Sequence, residues 1–147
     1  MIIYPDTSFI LSLWHAQDVN YRAATELFSR FSKDTWVWCD RHQLEVPMAA
    51  QVATHREPEG LQAHVARTIV CRAERAVARG GFLKKQLPLE SVAFALQLAH
   101  AHGWAKRHTT LDLWHIGAAW ELGASFFVTF DDRQAEIAHT LRFPTNL

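Results

Sequence analysis

The chain begins with M-I-I-Y-P-D-T-S-F-I-L (residues 1–11), and this stretch carries most of the information on the fold. The apolar run at its start predicts a short strand, which Pro5 must end or border because proline lacks a backbone donor. Asp6 then lies at the carboxyl end of that strand. Asp6, or one of the two hydroxyl residues after it, can cap a helix whose apolar residues recur at helical spacing. Those apolar residues are Phe9, Ile10, Leu13 and Trp14.

Strand-like and helix-like segments alternate along the rest of the chain. Residues 35–39 are rich in β formers, and residues 125–130 form a continuous apolar strand. Helical spacing or helix-boundary residues mark five further segments, at 21–31, from 40 onward, and at 61–80, 88–103 and 109–123. This alternation predicts an α/β fold with a mainly parallel sheet that is covered by helices on both faces.

Several helix boundaries follow from capping residues. Asp40 begins its helix with Gln43 three residues later, which is the spacing of a capping box. Thr109 or Thr110 can cap the helix 109–123, and the arginine-rich helix 61–80 ends at a Gly-Gly pair. We therefore expect helices to start and stop close to these positions.

Four acidic residues occupy related places in this scheme. Asp6 and Asp131 directly follow strands, whereas Glu45 and Asp112 lie in early turns of helices. In parallel sheets the functional crevice lies beyond the carboxyl ends of the strands. We therefore expect these four acids to meet at one edge of the sheet.

A cluster of four carboxylates has a specific chemical requirement. The charges repel one another unless a cation compensates them. Oxygen ligands select hard ions, so the expected cofactor is Mg²⁺ or Mn²⁺. Such a site can polarise a phosphodiester and lower the pKa of a bound water that attacks it, with one ion or with two ions about 4 Å apart. Ser8 can orient that water.

Length and composition set the broad class. The 147 residues, 49% of them hydrophobic, are enough for a single domain over 1–147 with its own core. No apolar run approaches the roughly 18 residues of a membrane span, so we expect a soluble, cytoplasmic protein in which Cys39 and Cys71 are reduced. The net charge is +0, but if four of the 15 acidic residues neutralise a metal, the 15 basic residues leave a cationic excess for nucleic acid.

Four blocks of sequence resemble a known family. They are residues 6–11 (D-T-S-F-I-L), Glu45 in a short helix, residues 112–119 (D-L-W-H-I-G-A-A) and residues 128–131 (V-T-F-D). In this order they resemble PIN-domain nucleases, and most of all the VapC-type toxins of bacterial and archaeal toxin–antitoxin pairs. The resemblance implies a three-layer PIN-like fold with four to five strands in the sheet, a homodimer, metal-dependent RNA cleavage, and inhibition by a small cognate antitoxin.

The resemblance also assigns roles to the acids. Asp6, Glu45 and Asp112 take the invariant acidic positions as metal ligands and catalytic residues, and Asp131 takes the more variable fourth position. Two departures stand out. Asp40 occupies a place where relatives commonly have serine or threonine, and Asp132 is a neighbouring alternative to Asp131.

Some of these residues also have structural interpretations. Asp6 is a favoured helix cap, Asp112 can complement a helix dipole, and Asp131 can be a turn residue. His115, one helical turn after Asp112, can reach RNA or a bound water, or it can be a packed structural histidine. One basic group can either grip phosphates or form a charged solvent face. It comprises Arg72, Arg75, Arg79, Lys84 and Lys85.

The sequence thus predicts an Mg²⁺- or Mn²⁺-dependent endoribonuclease of the VapC type that leaves a 5′-phosphate and a 3′-hydroxyl. One alternative is a catalytically silent module that binds RNA or a partner protein on the same fold. A second is a phosphoacceptor domain like a signalling receiver, which is disfavoured because Asp6 has no acidic neighbour and no lysine follows Lys106. We expect the antitoxin to dock near Phe9, Leu13 and Trp14.

Overall fold

The computed structural model describes residues 1–56, 60–102 and 109–146. Within these ranges the chain forms four strands and seven helices. The strands are β1 (Ile2–Pro5), β2 (Thr35–Cys39), β3 (Leu83–Lys85) and β4 (Phe126–Val128). The helices are α1 (Thr7–Trp14), α2 (Tyr21–Arg30), α3 (Asp40–Ala53), α4 (Ala63–Ala78), α5 (Glu90–His102), α6 (Thr110–Glu121) and α7 (Asp132–Thr140).

The four strands form one parallel sheet in the order β3-β2-β1-β4. Strand β1 is central, with Ile3 opposite Trp36 on one side and opposite Phe126 on the other. An isolated parallel bridge between Phe127 and Thr145 adds a short stretch of pairing beyond β4. The predicted α/β fold with a parallel sheet is confirmed.

Alternate residues of the strands build two cores, one on each face of the sheet. On one face Tyr4, Val37 and Phe127 pack with residues of α5, α6 and α7. On the other face Ile3 and Trp36 join a second cluster with residues of α1, α2, α3 and α4. This two-sided covering is the three-layer arrangement expected from the alternating pattern.

Strand β3 is absent from the sequence-based prediction. Its three residues, L-K-K, are all exposed and carry no apolar run. The strand forms because Val37 and Leu83 are partners in a parallel ladder at the sheet edge. Exposed lysines are a common feature of edge strands, where they oppose pairing with other chains. The pairing with β2 therefore explains why these three residues form a strand, and their own β propensity does not.

The start of α3 also differs from the prediction. The N-cap residue is Cys39, and Asp40 is the first helical residue. The backbone N–H of Cys39 donates to Nδ1 of His42 at 3.0 Å, so His42 has the capping-box role that we assigned to Gln43. At α6, by contrast, Thr109 is the cap and accepts from the N–H of Asp112.

Helix α5 packs closely against α6. A Cβ on Gly117 would lie 2.5 Å from the carbonyl oxygen of Ser91, so only glycine permits this approach. Val92 and Leu96 of α5 are 53% and 56% exposed. The described part of α5 ends at His102, and the predicted end at Gly103 lies outside the described residues.

Phe9 and Leu13 belong to the core. Phe9 stacks on Trp36 with ring centroids 5.2 Å apart, and Leu13 is buried in the same cluster. The docking groove predicted around these residues is therefore wrong, because both side chains are already covered. Among the described residues, no helix is long and apolar enough to cross a membrane.

His42 is a buried histidine with two backbone partners. Nδ1 accepts from the N–H of Cys39, so Nε2 carries the proton and donates to the carbonyl oxygen of Pro5 at 2.7 Å. Burial, followed by the charge of His115 and, to a smaller extent, that of Arg41, lowers the pKa of His42 to about 3, against the opposing effects of the hydrogen bond to Pro5 and the charge of Glu45. The neutral ring ties β1, β2 and α3 together.

We expect the stability of the fold to decrease as the pH falls from 6.5 towards about 3. His42 stays uncharged in the folded chain over this range, whereas in the unfolded chain it takes up a proton below its ordinary pKa of 6.5, so acid favours unfolding. Uptake of this one proton by the unfolded chain gives the free energy of unfolding a slope against pH that approaches about 1.4 kcal/mol per pH unit. Urea unfolding at a series of pH values measures the slope.

His42→Gln is the matched variant for this measurement. Glutamine at this position can still accept from the N-cap N–H but does not titrate. The acid slope of the variant should be shallower by the contribution of one proton. An unchanged slope would show that His42 is not the group responsible.

Candidate functional site

The predicted acids lie along the carboxyl edge of the sheet. Asp6 follows β1 directly, and Asp131 follows β4 after two residues. Because Pro5 and Val128 are partners in the ladder, the two chain segments leave the sheet side by side. Glu45 lies in the second turn of α3 and Asp112 in the first turn of α6. Asp6, Glu45 and Asp112 therefore lie where the sequence predicts, whereas the predicted strand 125–130 ends already at Val128, so Asp131 does not follow it directly.

Asp6 is the most deeply buried of the four acids, at 1% exposure. Oδ1 accepts from the hydroxyl of Ser8 at 2.7 Å and from the N–H of Phe9 at 2.8 Å, which makes Asp6 the cap of α1. Oδ2 accepts from the hydroxyls of Ser8 and Thr129, each at 2.8 Å. Asp6 thus has both the structural role and the placement expected of a site residue.

The ionised form of Asp6 is not fully compensated by these contacts. Burial raises its pKa, and the charge of His115 and the hydrogen bonds from Phe9, Ser8 and Thr129 offset this only in part. Asp6 forms no ion pair with another described residue. A buried carboxylate of this kind is stabilised when a cation binds beside it.

Glu45 is held by a cluster of donors. Its Oε2 lies 2.7 Å from Nε2 of His115 and 3.0 Å from Nη2 of Arg41. Burial opposes ionisation, but the hydrogen bond and charge of His115, followed by Arg41 and Thr7, outweigh it and lower the pKa of Glu45. Glu45 therefore stays ionised at neutral pH.

Arg41 is itself fixed in place beneath Glu45. Its guanidinium is buried, donates to the carbonyl oxygen of Leu111 at 2.9 Å, and lies 4.9 Å from the ring centroid of Trp114. These contacts join the start of α3 to the start of α6. Arg41 thereby sets the distance between the helices that carry Glu45 and Asp112.

Asp112 and Asp131 share an arginine. The guanidinium of Arg133 contacts both oxygens of Asp131, at 3.1 and 2.7 Å, and lies 3.8 Å from Oδ2 of Asp112. Asp112 also accepts from the N–H of Thr109 and from the side-chain amide of Gln134. Burial raises the pKa of Asp131, but the hydrogen bonds and charge of Arg133 outweigh this, so the net shift is downward.

The two candidates for the fourth position differ in their surroundings. Asp131 caps α7 and faces Arg133, whereas Asp132 is exposed and forms no hydrogen bond or ion pair with another described residue. Thr129 accepts from the N–H of Asp131 while it donates to Asp6. Asp131 is therefore linked to Asp6 and Asp112, and Asp132 is linked to neither.

The acids are arranged as two pairs around two basic side chains. Glu45 contacts His115, whose charge also lowers the pKa of Asp6, and Asp112 and Asp131 flank Arg133. Across residues 1–56, 60–102 and 109–146, no three His, Cys, Asp or Glu side chains lie close enough together to hold a metal ion. The donor set, four carboxylates with one buried and short of positive charge, nevertheless fits a hard divalent cation.

Three residues of this site had no signal in the sequence. Arg41, Arg133 and Gln134 are ordinary polar residues of helix first turns, and only the packing shows that they face the acids. Ser8 was expected to orient a bound water. In the structure its hydroxyl donates to both oxygens of Asp6 and accepts from the N–H of Phe130.

Comparison with known proteins gives a family and a fold. The sequence profile of the PIN domain matches residues 3–140. Comparison with curated protein sequences finds no significant match. The fold is similar to that of the toxin VapC20 of Mycobacterium tuberculosis, described as a Sarcin-Ricin loop cleaving toxin, with a TM-score of 0.67, 16% identity, and coverage of 91% of this chain and 93% of that chain.

Two further structures are similar over nearly the whole chain. VapBC-1 from nontypeable Haemophilus influenzae has a TM-score of 0.64 and 17% identity, and the match covers 99% of this chain and 97% of that chain. VapBC2 from Rickettsia felis, a structure bound to a DNA fragment from the VapBC2 promoter, has a TM-score of 0.61 and 13% identity. The match covers 98% of this chain and 94% of that chain. At sequence identities this low, the comparison shows a similar fold and nothing beyond the fold.

We expect Arg133→Ala to raise the affinity of the chain for Mn²⁺. The variant removes the positive charge that competes for Asp131 and Asp112. Because Arg133 is 50% exposed, solvent screens the pair, and we expect a gain of about two- to fivefold. Titration calorimetry measures the affinity. Arg75→Ala is the control, since it removes one positive charge from exposed α4; equal effects of the two variants would contradict a local competition.

Proposed function

This chain belongs to the PIN-domain family, and from that premise we propose that it is a metal-dependent endoribonuclease, the toxin of a VapBC-type toxin–antitoxin pair. The observation that carries the proposal is Asp6, a buried carboxylate at the sheet edge that lacks an ion-pair partner and is linked through Thr129 to the segment bearing Asp131. We take residues 1–147 as one cytoplasmic domain. The structures of similar fold include a toxin and two VapBC complexes, which supports this choice.

The four acids would hold Mg²⁺ or Mn²⁺. Such an ion, when bound, polarises the phosphodiester and makes a coordinated water more acidic, so that hydrolysis leaves a 5′-phosphate and a 3′-hydroxyl. Asp6 and Glu45 contribute from one pair, and Asp112 and Asp131 from the other. The lowered pKa of Glu45 keeps that carboxylate ionised and able to bind.

Arg133 has a place in this scheme because of its exposure. Its pair with Asp131 is half open to solvent, so the guanidinium can exchange that carboxylate for a phosphate of RNA at small cost. Arg41, in contrast, is buried against Trp114 and stays with Glu45. The two arginines thus differ in role: one is fixed in the scaffold and one is free to contact substrate.

The exposed face of α4 offers a surface for the RNA backbone. Its arginines form no ion pair with a described acidic residue, and Glu74 is the only acid on the helix. They are Arg67, Arg72 and Arg75, followed by the C-cap residue Arg79. Exposed, unpaired cations of this kind bind phosphates and release counterions. This supports RNA as the substrate although the net charge of the chain is +0.

We expect Asp6→Asn to abolish RNA cleavage and leave the fold intact. Asparagine has the shape of aspartate, and the hydroxyls of Ser8 and Thr129 can rotate to accept from its amide. Cleavage of a labelled RNA with Mn²⁺, together with thermal unfolding, measures both properties. Retained cleavage in the variant, or cleavage by the wild-type chain in excess EDTA, would contradict the proposal.

A second candidate function is a module that binds RNA or a partner without cleaving it. It is favoured by one observation: Arg133 forms ion pairs with Asp112 and Asp131, where a metal ion would otherwise bind. In that case RNA binding would be independent of divalent ions, and Asp6→Asn would leave the affinity for RNA unchanged. Neither the wild-type chain nor the variant would cleave the RNA. The receiver-like alternative gains no support from the comparisons, which point to the PIN domain.

Two exposed apolar ridges provide surfaces for the proposed partners. Leu44, Met48 and Val52 recur every four residues along α3. Other residues of α3, among them Val46 and Pro47, line a cavity of about 190 Å³ between α3 and α4, where a small antitoxin can insert apolar side chains. Val92 and Leu96 form the second ridge on α5, which we assign to a second copy of the chain.

Co-expression with the product of the adjacent gene separates these assignments. We expect a complex whose native mass contains two copies of this chain and the antitoxin. Met48→Glu should release the antitoxin because it places a charge on the α3 ridge, and Leu96→Glu should halve the mass and keep the antitoxin bound. If both variants kept the wild-type mass, both surfaces would be wrongly assigned.

A further inference from the structure

A group of polar side chains is buried beneath the acids. Tyr4, Cys39, His42 and His115 are each at most 1% exposed. The hydroxyl of Tyr4 lies 3.0 Å from Nδ1 of His115 and 3.6 Å from Sγ of Cys39. Apolar side chains of similar size would fill this part of the core without the cost of desolvating polar atoms. A polar network in such a place therefore calls for an explanation.

The two histidines of the group have different partners. Both ring nitrogens of His42 bond to backbone groups, the N–H of Cys39 and the carbonyl of Pro5, so this ring holds strands and a helix together. His115 has side-chain partners only among the described residues. They are Tyr4 at Nδ1, and Thr7 and Glu45 at Nε2. His42 is explained by the fold, and His115 is not.

His115 has polar partners on both sides of its ring. Nε2 lies 2.7 Å from Oε2 of Glu45, an ion-pair contact, and 3.2 Å from the hydroxyl of Thr7. Nδ1 lies 3.0 Å from the hydroxyl of Tyr4. Burial, followed by the neighbouring Cys39, raises the pKa of Tyr4 well above its ordinary value, so this phenol remains a donor.

We propose that His115 is a positioning residue for Glu45, oriented in turn by Tyr4, so that the Tyr4–His115 hydrogen bond and the 2.7 Å contact between Nε2 and Oε2 set the direction of the Glu45 carboxylate at the acid edge. The inference rests on the proposed function, because the carboxylate that is positioned is a proposed metal ligand. It extends that function to two residues that do not touch the ion or the RNA.

The geometry shows why Glu45 needs such a partner. A glutamate side chain has three rotatable bonds, and Arg41 alone restrains it from one direction. His115 and Arg41 both contact Oε2, so together they fix that oxygen and leave Oε1 with no ion-pair partner among the described residues. The ring of His115 lies on α6, three residues after Asp112, and therefore ties Glu45 to the helix that carries Asp112.

Two substitutions of His115 separate positioning from packing. His115→Gln retains an N–H near the position of Nε2 and so can still donate to Glu45. His115→Leu fills the space and provides no donor. Both variants lose the ring, so a purely structural role predicts similar losses in the two. Tyr4→Phe removes only the hydroxyl that orients the ring, and it serves as a third variant.

Titration calorimetry with Mn²⁺, steady-state cleavage of a model RNA and urea unfolding are measured for all four proteins. We expect His115→Gln to bind Mn²⁺ within about threefold of wild type and His115→Leu to lose about 10- to 100-fold, with kcat reduced and KM for RNA nearly unchanged. Tyr4→Phe should fall between them. Equal Mn²⁺ affinity of the Gln and Leu variants, or losses that follow unfolding free energy alone, would overturn the proposal.

A spectroscopic readout keeps the inference distinct from the proposed function. The ¹³C resonance of the Glu45 carboxyl carbon, measured without metal, should be nearly the same in wild type and His115→Gln and displaced in His115→Leu. If the wild-type chain neither bound Mn²⁺ nor cleaved RNA, the proposed function would fail, yet this pattern would still support the positioning. If the resonance were unchanged in His115→Leu, the positioning would be refuted whatever the metal result.

Discussion

The burial of the Asp6 carboxylate is the constraint on which the rest of the site depends. Strand β1 delivers Asp6 to the sheet edge, α1 begins on its oxygen, and Thr129 reaches it from the neighbouring strand. These hydrogen bonds satisfy the oxygens but leave the negative charge uncompensated, which is why burial raises the pKa of the group. The fold therefore holds a charged residue where charge is costly, a feature that is more typical of a functional site than of a helix cap.

Charge compensation organises the remaining acids in the same way. Glu45 is paired with Arg41 and His115, while Asp112 and Asp131 face Arg133. Buried Arg41 belongs to the scaffold, whereas half-exposed Arg133 is a cation that an incoming ion or phosphate can displace. A divalent cation at this edge would replace one arginine contact and compensate Asp6, as the proposed function requires.

Much of this arrangement could be predicted from sequence, and the exceptions have a common cause. The strand ends that carry Asp6 and Asp131 follow from apolar runs that stop at polar residues. Strand β3 could not be predicted because its pairing with β2, and not its own composition, creates it. Cys39 replaced Asp40 as a cap because a buried histidine, His42, turns back to its amide. The partners Arg133 and His115 depend on contacts between distant segments, which no local pattern contains.

In the proposed site these acids bind a hard divalent cation at the sheet edge. Anomalous diffraction from crystals grown with Mn²⁺ locates such an ion. We expect an anomalous peak at about 2.1 Å from a carboxylate oxygen of Asp6, with Glu45 or Asp112 as a further ligand and Arg133 moved away from Asp131. The absence of a peak at this edge, with Arg133 still bound to Asp131 at a saturating concentration of Mn²⁺, would contradict the proposed site.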